Sequence, residues 1–187
     1  MIQNNLLNDN LDSFSFNLVE AVQRLGAHVK VVRNTIPAAT ALAEAEQAEA
    51  MILLSPGPGR PENAGCCIEL IAAAKGRVPL LGVCLGHQAI VLESGGEVCS
   101  APAPVHGKAS LLPHDGKGPF EGLDGPIRIG RYHSLCTRNL PERFTVHAEI
   151  DGMAMAISDV EAKQIGVQFH PEIGAHSGRA APAGKCP

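Results

Sequence analysis

The chain has 187 residues, with 15 Lys and Arg against 19 Asp and Glu and a formal net charge of −4. That length fits one domain able to bury a core, and the mild acidity without Lys/Arg clusters argues against nucleic acid or an acidic membrane as partner. No apolar stretch approaches transmembrane length, and the first residues lack a signal-peptide layout. The six cysteines do not read as a disulfide framework: Cys66 and Cys67 are adjacent, Cys84 lies between glycines and Cys186 is close to the end. Reduced thiols in a cytoplasmic setting fit better.

The first strand falls around Asn4-Asn5-Leu6-Leu7-Asn8, with Asn8 at a position that a buried strand gives to an aliphatic residue. Leu18, Val19, Val22 and Leu25 recur at helical spacing over Phe14 to Leu25, and Gly26 closes that helix. Val29 to Val32 reads as a strand. Ala38 to Ala50 is rich in Ala and Glu, with strong helix propensity and a weak apolar face. Met51 to Leu54 is a strand, Gly65 to Ala74 a helix, Leu80 to Val83 a strand and Leu85 to Glu93 a helix ended by Gly95-Gly96. This alternation predicts an α/β fold: an open, mostly parallel sheet with helices on both faces. Beyond Gly96 the rhythm changes to short β-like pieces at Ala109–Leu112, Ile127–Ile129, Phe144–His147 and Met153–Ile157. They predict an antiparallel portion that finishes on the strand delivering His170.

The chemistry concentrates in two segments. In Gly82-Val83-Cys84-Leu85-Gly86-His87-Gln88, an apolar strand turns into a helix through a cysteine framed by glycines. A nucleophile on such a turn sits in strained backbone with little room two residues to either side, as the Gly-x-nucleophile-x-Gly elbow requires. The following helix aims its free N–H groups and positive dipole end at the sulfur, which favours the reactive thiolate. The Leu85 N–H is placed to donate to an oxyanion. In His170-Pro171-Glu172, residues i and i+2 at a strand end share a face, so Glu172 can orient the His170 imidazole. Cys84, His170 and Glu172 thus supply a nucleophile, a base and an orienting carboxylate for acyl transfer. No Cys-x-x-Cys pair or His-Glu-x-x-His helix suggests a metal. Ser55-Pro56-Gly57-Pro58-Gly59 follows a buried-looking strand, where open α/β sheets bind ligands, and its glycines let backbone approach closely. His87 sits in the elbow helix with little freedom to reach the sulfur, which points to a structural or interface role.

Read together with Asp12-Ser13-Phe14-Ser15-Phe16-Asn17-Leu18, His106-Gly107-Lys108 and Arg131-Tyr132-His133-Ser134-Leu135, these segments resemble a class I glutamine amidotransferase, a fold with a flavodoxin-like core. Within that family they are similar to the glutaminase component (component II) of anthranilate synthase or of its aminodeoxychorismate synthase relative. The resemblance runs from about residue 6 to residue 172. It implies hydrolysis of L-glutamine through a cysteine γ-glutamyl thioester, no cofactor in this subunit, and ammonia passed to a chorismate-binding synthase subunit. It implies Cys84, His170 and Glu172 as catalytic residues and Gly57 and Leu85 as the oxyanion hole. Gly57, Pro58, Gly59, Gln88, Ser134 and Leu135 would hold the substrate, and His106-Gly107-Lys108 and His133 would contact the partner. Tryptophan synthesis is favoured over folate synthesis. A catalytically impaired docking subunit remains a second reading, and the glutamine-pocket segments count against a peptidase-type cysteine hydrolase.

The ends depart from the pattern. An unpartnered buried amide at Asn8 would cost about 1–3 kcal/mol. The domain is therefore read as residues 1–172, with 173–187 an atypical, disordered tail in place of the final helix, since that stretch is rich in Gly and Pro and lacks an apolar period.

Overall fold

The computed structural model describes residues 4–174, with the side chains of 102–109 outside the description. Its elements are β1 (Asn4–Asp9), α1 (Ser15–Arg24), β2 (His28–Arg33), α2 (Ala38–Gln47), β3 (Met51–Leu54), α3 (Cys67–Ala74), β4 (Leu80–Val83), α4 (Leu85–Glu93), β5 (Glu97–Leu112), β6 (Ile127–Arg138), β7 (Thr145–Ile150), β8 (Met153–Asp159), β9 (Gln164–Val167) and α5 (Pro171–Gly174). Seven strands form one sheet in the order β2-β1-β3-β4-β9-β8-β7, and β5 and β6 form a separate ribbon. Neighbours from β2 through β9 pair in parallel, whereas β8 and β7 are antiparallel to theirs.

The predicted alternation of strand and helix therefore holds through residue 93. The central strands β3 and β4 are short and wholly apolar because both sheet faces are covered there, whereas β1 carries Asn4, Asn5, Asn8 and Asp9 and the edge strand β2 is half polar and largely exposed. Alternate residues feed two cores. Leu6, Ile52, Leu54 and Leu80 pack with α2, α3 and α4 on one side. Leu7, Leu53 and Val83 pack on the other with Leu18 of α1, with Leu112 and Ile129 of the ribbon, and with Met155 and Phe169. The helices do lie on both faces, but α1 shares the second face with a β-ribbon. Leu25, placed on the α1 apolar face by spacing alone, is exposed beyond the end of that helix. Gly65 precedes α3 instead of opening it, in a left-handed turn (φ +56°) where a Cβ would lie 2.2 Å from the Asn34 carbonyl oxygen.

The larger revision comes after Gly96. The fragments at 109–112 and 127–129 are the ends of two long strands of 16 and 12 residues. The ladder breaks between the Ser100 and Val105 pairings, and Pro102 and Pro104 fall within that break. Proline offers no ladder N–H, so the local pattern shows only the 109–112 end of a strand that begins at Glu97. The His106-Gly107-Lys108 side chains, matched to partner contact, lie outside the described ones. So does the structure of residues 175–187, nearly all of the segment set apart as a tail.

Asn8 is fully buried in β1, yet it is not partnerless. Its Nδ2 donates to Cys67 Sγ at 3.3 Å and to Cys66 Sγ at 3.7 Å. Sulfur is a weak acceptor, so these bonds recover only part of the amide's lost hydration. Replacing Asn8 with valine, which suits a buried parallel strand, is expected to leave stability unchanged or raise it by about 1 kcal/mol. Urea unfolding checks this, and a loss of more than about 1 kcal/mol would mean that the thiol contacts hold the strand in place.

Candidate active site

Two parallel strands and the ribbon bring the site together at the carboxyl edge of the sheet. Cys84 follows β4 and caps α4 with φ 53° and ψ −98°, a conformation that L-residues adopt only when the surroundings impose it. The glycine frame is a steric requirement. A Cβ on Gly82 would stand 2.5 Å from the Gly86 carbonyl group, and one on Gly86 would stand 2.7 Å from both Cβ and O of Leu54. The strand-to-helix bend can be that sharp only if both positions lack side chains. The elbow read from sequence is thus present in detail.

His170 enters differently from its prediction. β9 ends at Val167, and His170 follows it, held by a hydrogen bond from its own N–H to the Gly130 carbonyl of β6 at 3.1 Å. Pro171 then opens α5, so Glu172 belongs to a helix and not to a strand face. The turn of chain still delivers the pairing, with His170 Nδ1 2.7 Å from Glu172 Oε1 and both side chains buried. Pro171 suits the first helical position because its missing N–H would have had no partner there.

Burial alone would lower the affinity of His170 for its proton. Hydrogen bonds with Cys84 and Glu172, reinforced by the charge of both, outweigh it and raise the pKa from 6.5 to about 10. His170 thus keeps its proton at neutral pH with its Nδ1 side on the carboxylate. A folded-state value above the unfolded one makes the proton stabilising. That contribution is complete below about pH 6.5 and is lost as pH rises toward 10. The urea midpoint of the wild type is expected to fall between pH 7 and pH 10 more steeply than that of His170→Gln. Parallel curves would assign the alkaline loss to other groups.

Rings of Phe14 and Tyr132 frame the imidazole, with centroids 5.4 and 5.8 Å from it and 5.5 Å from each other. Phe14 is set by the turn before α1, where the Asp12 carboxylate accepts from the Phe14 N–H at 2.6 Å and Asp9 accepts from the Ser15 hydroxyl at 2.7 Å. The sequence marked this segment by resemblance alone; its physical part is to carry Phe14 to the site.

Gly57 reaches the elbow, since a Cβ there would stand 2.5 Å from Leu85 Cδ2 and 2.7 Å from Asn10 Cβ. Among the described residues neither the Gly57 nor the Leu85 backbone N–H donates to any group. Pro58 and Gly59 are exposed at the loop tip. Asn10 and Ser55, to which the sequence assigned no role of their own, hold the loop: the Asn10 N–H donates to Ser55 Oγ and its Nδ2 to the Ser55 carbonyl, each at 2.9 Å.

The remaining pocket residues lie on α4 and β6. Gln88 is buried and donates from Nε2 to the Leu135 carbonyl at 3.4 Å and to Gln168 Oε1 at 3.1 Å. Ser134 is exposed on the ribbon, one residue before that carbonyl. Arg131 and His133, on the opposite strand face from Ser134, are buried. His133 bonds the Leu135 carbonyl through Nδ1 at 2.9 Å and receives Arg131 Nε on Nε2 at 3.5 Å. Burial, then the charges of Arg131 and His170, lower its pKa against the pull of the Leu135 carbonyl. Its burial places it inside the chain and away from any surface open to a partner. His87 is likewise internal: burial pushes its pKa down to about 3, and Nε2 pairs with Thr137 Oγ1 at 2.9 Å. A neutral, engaged His87 is structural, which removes its interface alternative.

Fold and site define the class: an α/β protein with a cysteine elbow beside a buried histidine–glutamate pair. The chain belongs to the glutamine amidotransferase class-I family, whose profile matches residues 6–185. It is 52% identical over 167 residues (88% of this chain, 82% of the relative) to the pyocyanine-specific anthranilate synthase component 2 of Pseudomonas aeruginosa. It is 46% identical over 167 residues (88% and 84%) to the anthranilate synthase component 2 of Vibrio parahaemolyticus. Among solved structures, it resembles a putative GMP synthase protein of Thermoplasma acidophilum, with a TM-score of 0.79 and 24% identity over 92% of this chain and 85% of that one. A glutamine amidotransferase of Thermotoga maritima gives a TM-score of 0.73 at 16% identity over 94% and 79%. Those two likenesses speak for the fold alone. No helix among the described residues is long and apolar enough to cross a membrane.

Proposed function

We propose that this chain is the glutaminase subunit of an anthranilate synthase, hydrolysing L-glutamine and passing ammonia to a chorismate-binding synthase subunit. One observation carries the chemistry: a buried elbow cysteine beside a buried histidine whose Nδ1 lies 2.7 Å from Glu172 Oε1. The names of the relatives support anthranilate over aminodeoxychorismate as the product, and the assembled constellation speaks against an impaired docking subunit.

In this reading the Cys84 sulfur attacks the side-chain carbonyl carbon of glutamine, and the thiol proton resides on His170. The Gly57 and Leu85 N–H groups receive the oxyanion. The carbon–nitrogen bond breaks as His170 gives its proton to the departing nitrogen, so ammonia leaves and a thioester remains. Water then attacks the thioester, His170 takes the water's proton, and glutamate departs as the sulfur is released. Gln88 holds the Leu135 carbonyl in place, and the backbone of Ser134 and Leu135 binds the amino-acid end of glutamine. Pro58 and Gly59 shape the pocket's outer edge. No step asks for a cofactor in this subunit.

The segment that carries Phe14 also exposes Leu11 (58%) and Phe16 (72%), and Tyr132 is partly exposed beside it. An apolar rim at the site suits a synthase docked where ammonia emerges. The catalytic unit is residues 1–172 together with Ile173 and Gly174, which complete α5, and it acts in the cytoplasm with the remaining residues an appendage to it.

Peptide mapping after exposure to a glutamine-like diazo-ketone tests the chemistry, with and without a chorismate-binding synthase. A single adduct on Cys84 is expected. A folded chain that gains no adduct under either condition would overturn the glutaminase reading in favour of a docking role.

A further inference from the structure

Gln168 has no part in the mechanism above, although it is fully buried two residues before His170. Its backbone N–H donates to the Met155 carbonyl at 2.9 Å, which fixes it to β8. Its side chain bridges two groups: Oε1 accepts from Gln88 Nε2 at 3.1 Å, and Nε2 donates to Cys84 Sγ at 3.6 Å. The direction of this chain is set by chemistry. The Leu135 backbone carbonyl can only accept, so the end of Gln88 facing it is Nε2. That nitrogen can only donate, so Gln168 must present oxygen to it. The other end of the Gln168 amide, aimed at the sulfur, is therefore N–H.

We infer that Gln168 is a positioning residue, whose amide N–H holds the Cys84 sulfur and ties it through Gln88 to the Leu135 wall of the glutamine pocket. The inference rests on Cys84 being the nucleophile. A buried donor aimed at sulfur favours the charged form in which sulfur attacks, because a hydrogen bond to an ionised acceptor is stronger than one to a neutral acceptor. It also holds the sulfur in one rotamer against a pocket wall three hydrogen bonds away, so the nucleophile and the substrate-binding backbone share one frame. Other groups act on the sulfur: His170, with Glu172 of α5 and His133 of β6 beside that imidazole, and the N-terminus of α4. All of these remain when Gln168 is replaced, so the amide's share is separable.

The test is alkylation of Cys84 by iodoacetamide across pH, followed by peptide mass spectrometry, alongside glutaminase kcat and KM in the presence of the synthase. Q168M keeps the length of the side chain and removes its N–H. It is expected to raise the pH midpoint of alkylation and to lower kcat by about 10–100-fold, the range known for losing the partners that orient metal ligands. KM should change less than kcat. Q168E keeps the acceptor for Gln88 but turns an acceptor toward sulfur, so its midpoint should rise further. Thermal unfolding checks each fold, and Q168E carries the test if Q168M does not fold. A midpoint unchanged from wild type and a kcat within twofold of it, in a folded variant, would overturn the inference and leave the glutaminase reading intact. Hydrolysis that survives loss of the Cys84 thiol would instead overturn the nucleophile assignment itself.

Discussion

Glutamine hydrolysis by Cys84→Ser is expected to fall at least about 10⁴-fold, because the covalent step loses its nucleophile while the rest of the site remains. The substitution changes one atom at a position that is 7% exposed and already held by the elbow, so the fold should persist. Synthesis by the complex from added ammonium salt should also persist, since that route bypasses the elbow. The pair of measurements separates chemistry from docking. Loss of both activities would mean that the substitution breaks the assembly. Retention of more than about 1% of hydrolysis would remove Cys84 from the covalent step.

Gly86→Ala should damage stability and turnover together. The new methyl group would press on Leu54, a fully buried residue of β3, at 2.7 Å from both its side chain and its backbone oxygen. Neither can withdraw without moving the strand, so α4 must shift. Overpacking of this kind costs about 1–3 kcal/mol, and each kcal/mol lowers Tm by about 2–4 °C in a chain this size. Displacement of the α4 N-terminus moves Cys84 and the Leu85 N–H with it, and a shift of about 1 Å is worth about 10²-fold in kcat. Gly95→Ala is the comparison. Gly95 has φ +82° with nothing within 4 Å of an added Cβ, so that substitution should cost about 1 kcal/mol through strain and leave kcat unchanged. Equal kcat losses in both variants would show that the elbow clash is relieved elsewhere.

The parallel core and the elbow were legible in the sequence because both follow from short-range rules. Met51–Leu54 and Leu80–Val83 are uninterrupted apolar runs that make sense only with both sheet faces covered, and the structure places them side by side. Gly82 and Gly86 announce a bend that no side chain could share, and the clash distances bear that out. Where local rules conflict, the reading failed. Pro102 and Pro104 hid the first part of β5 and left only its 109–112 end legible, and Pro171 hid the helix that carries Glu172.

By itself, then, the sequence determined the α/β class, the strained cysteine and the residues able to form its acid–base pair, since backbone sterics and apolar period act over a few residues. Only the tertiary structure decided which buried polar groups satisfy one another. Asn8 meets thiols 58 and 59 residues away, and Gln168 meets Cys84 and Gln88 from 84 and 80 residues away. No local pattern encodes such partners: a buried amide must find its hydrogen bonds wherever the packed chain offers them, and that is known only after the whole sheet has closed.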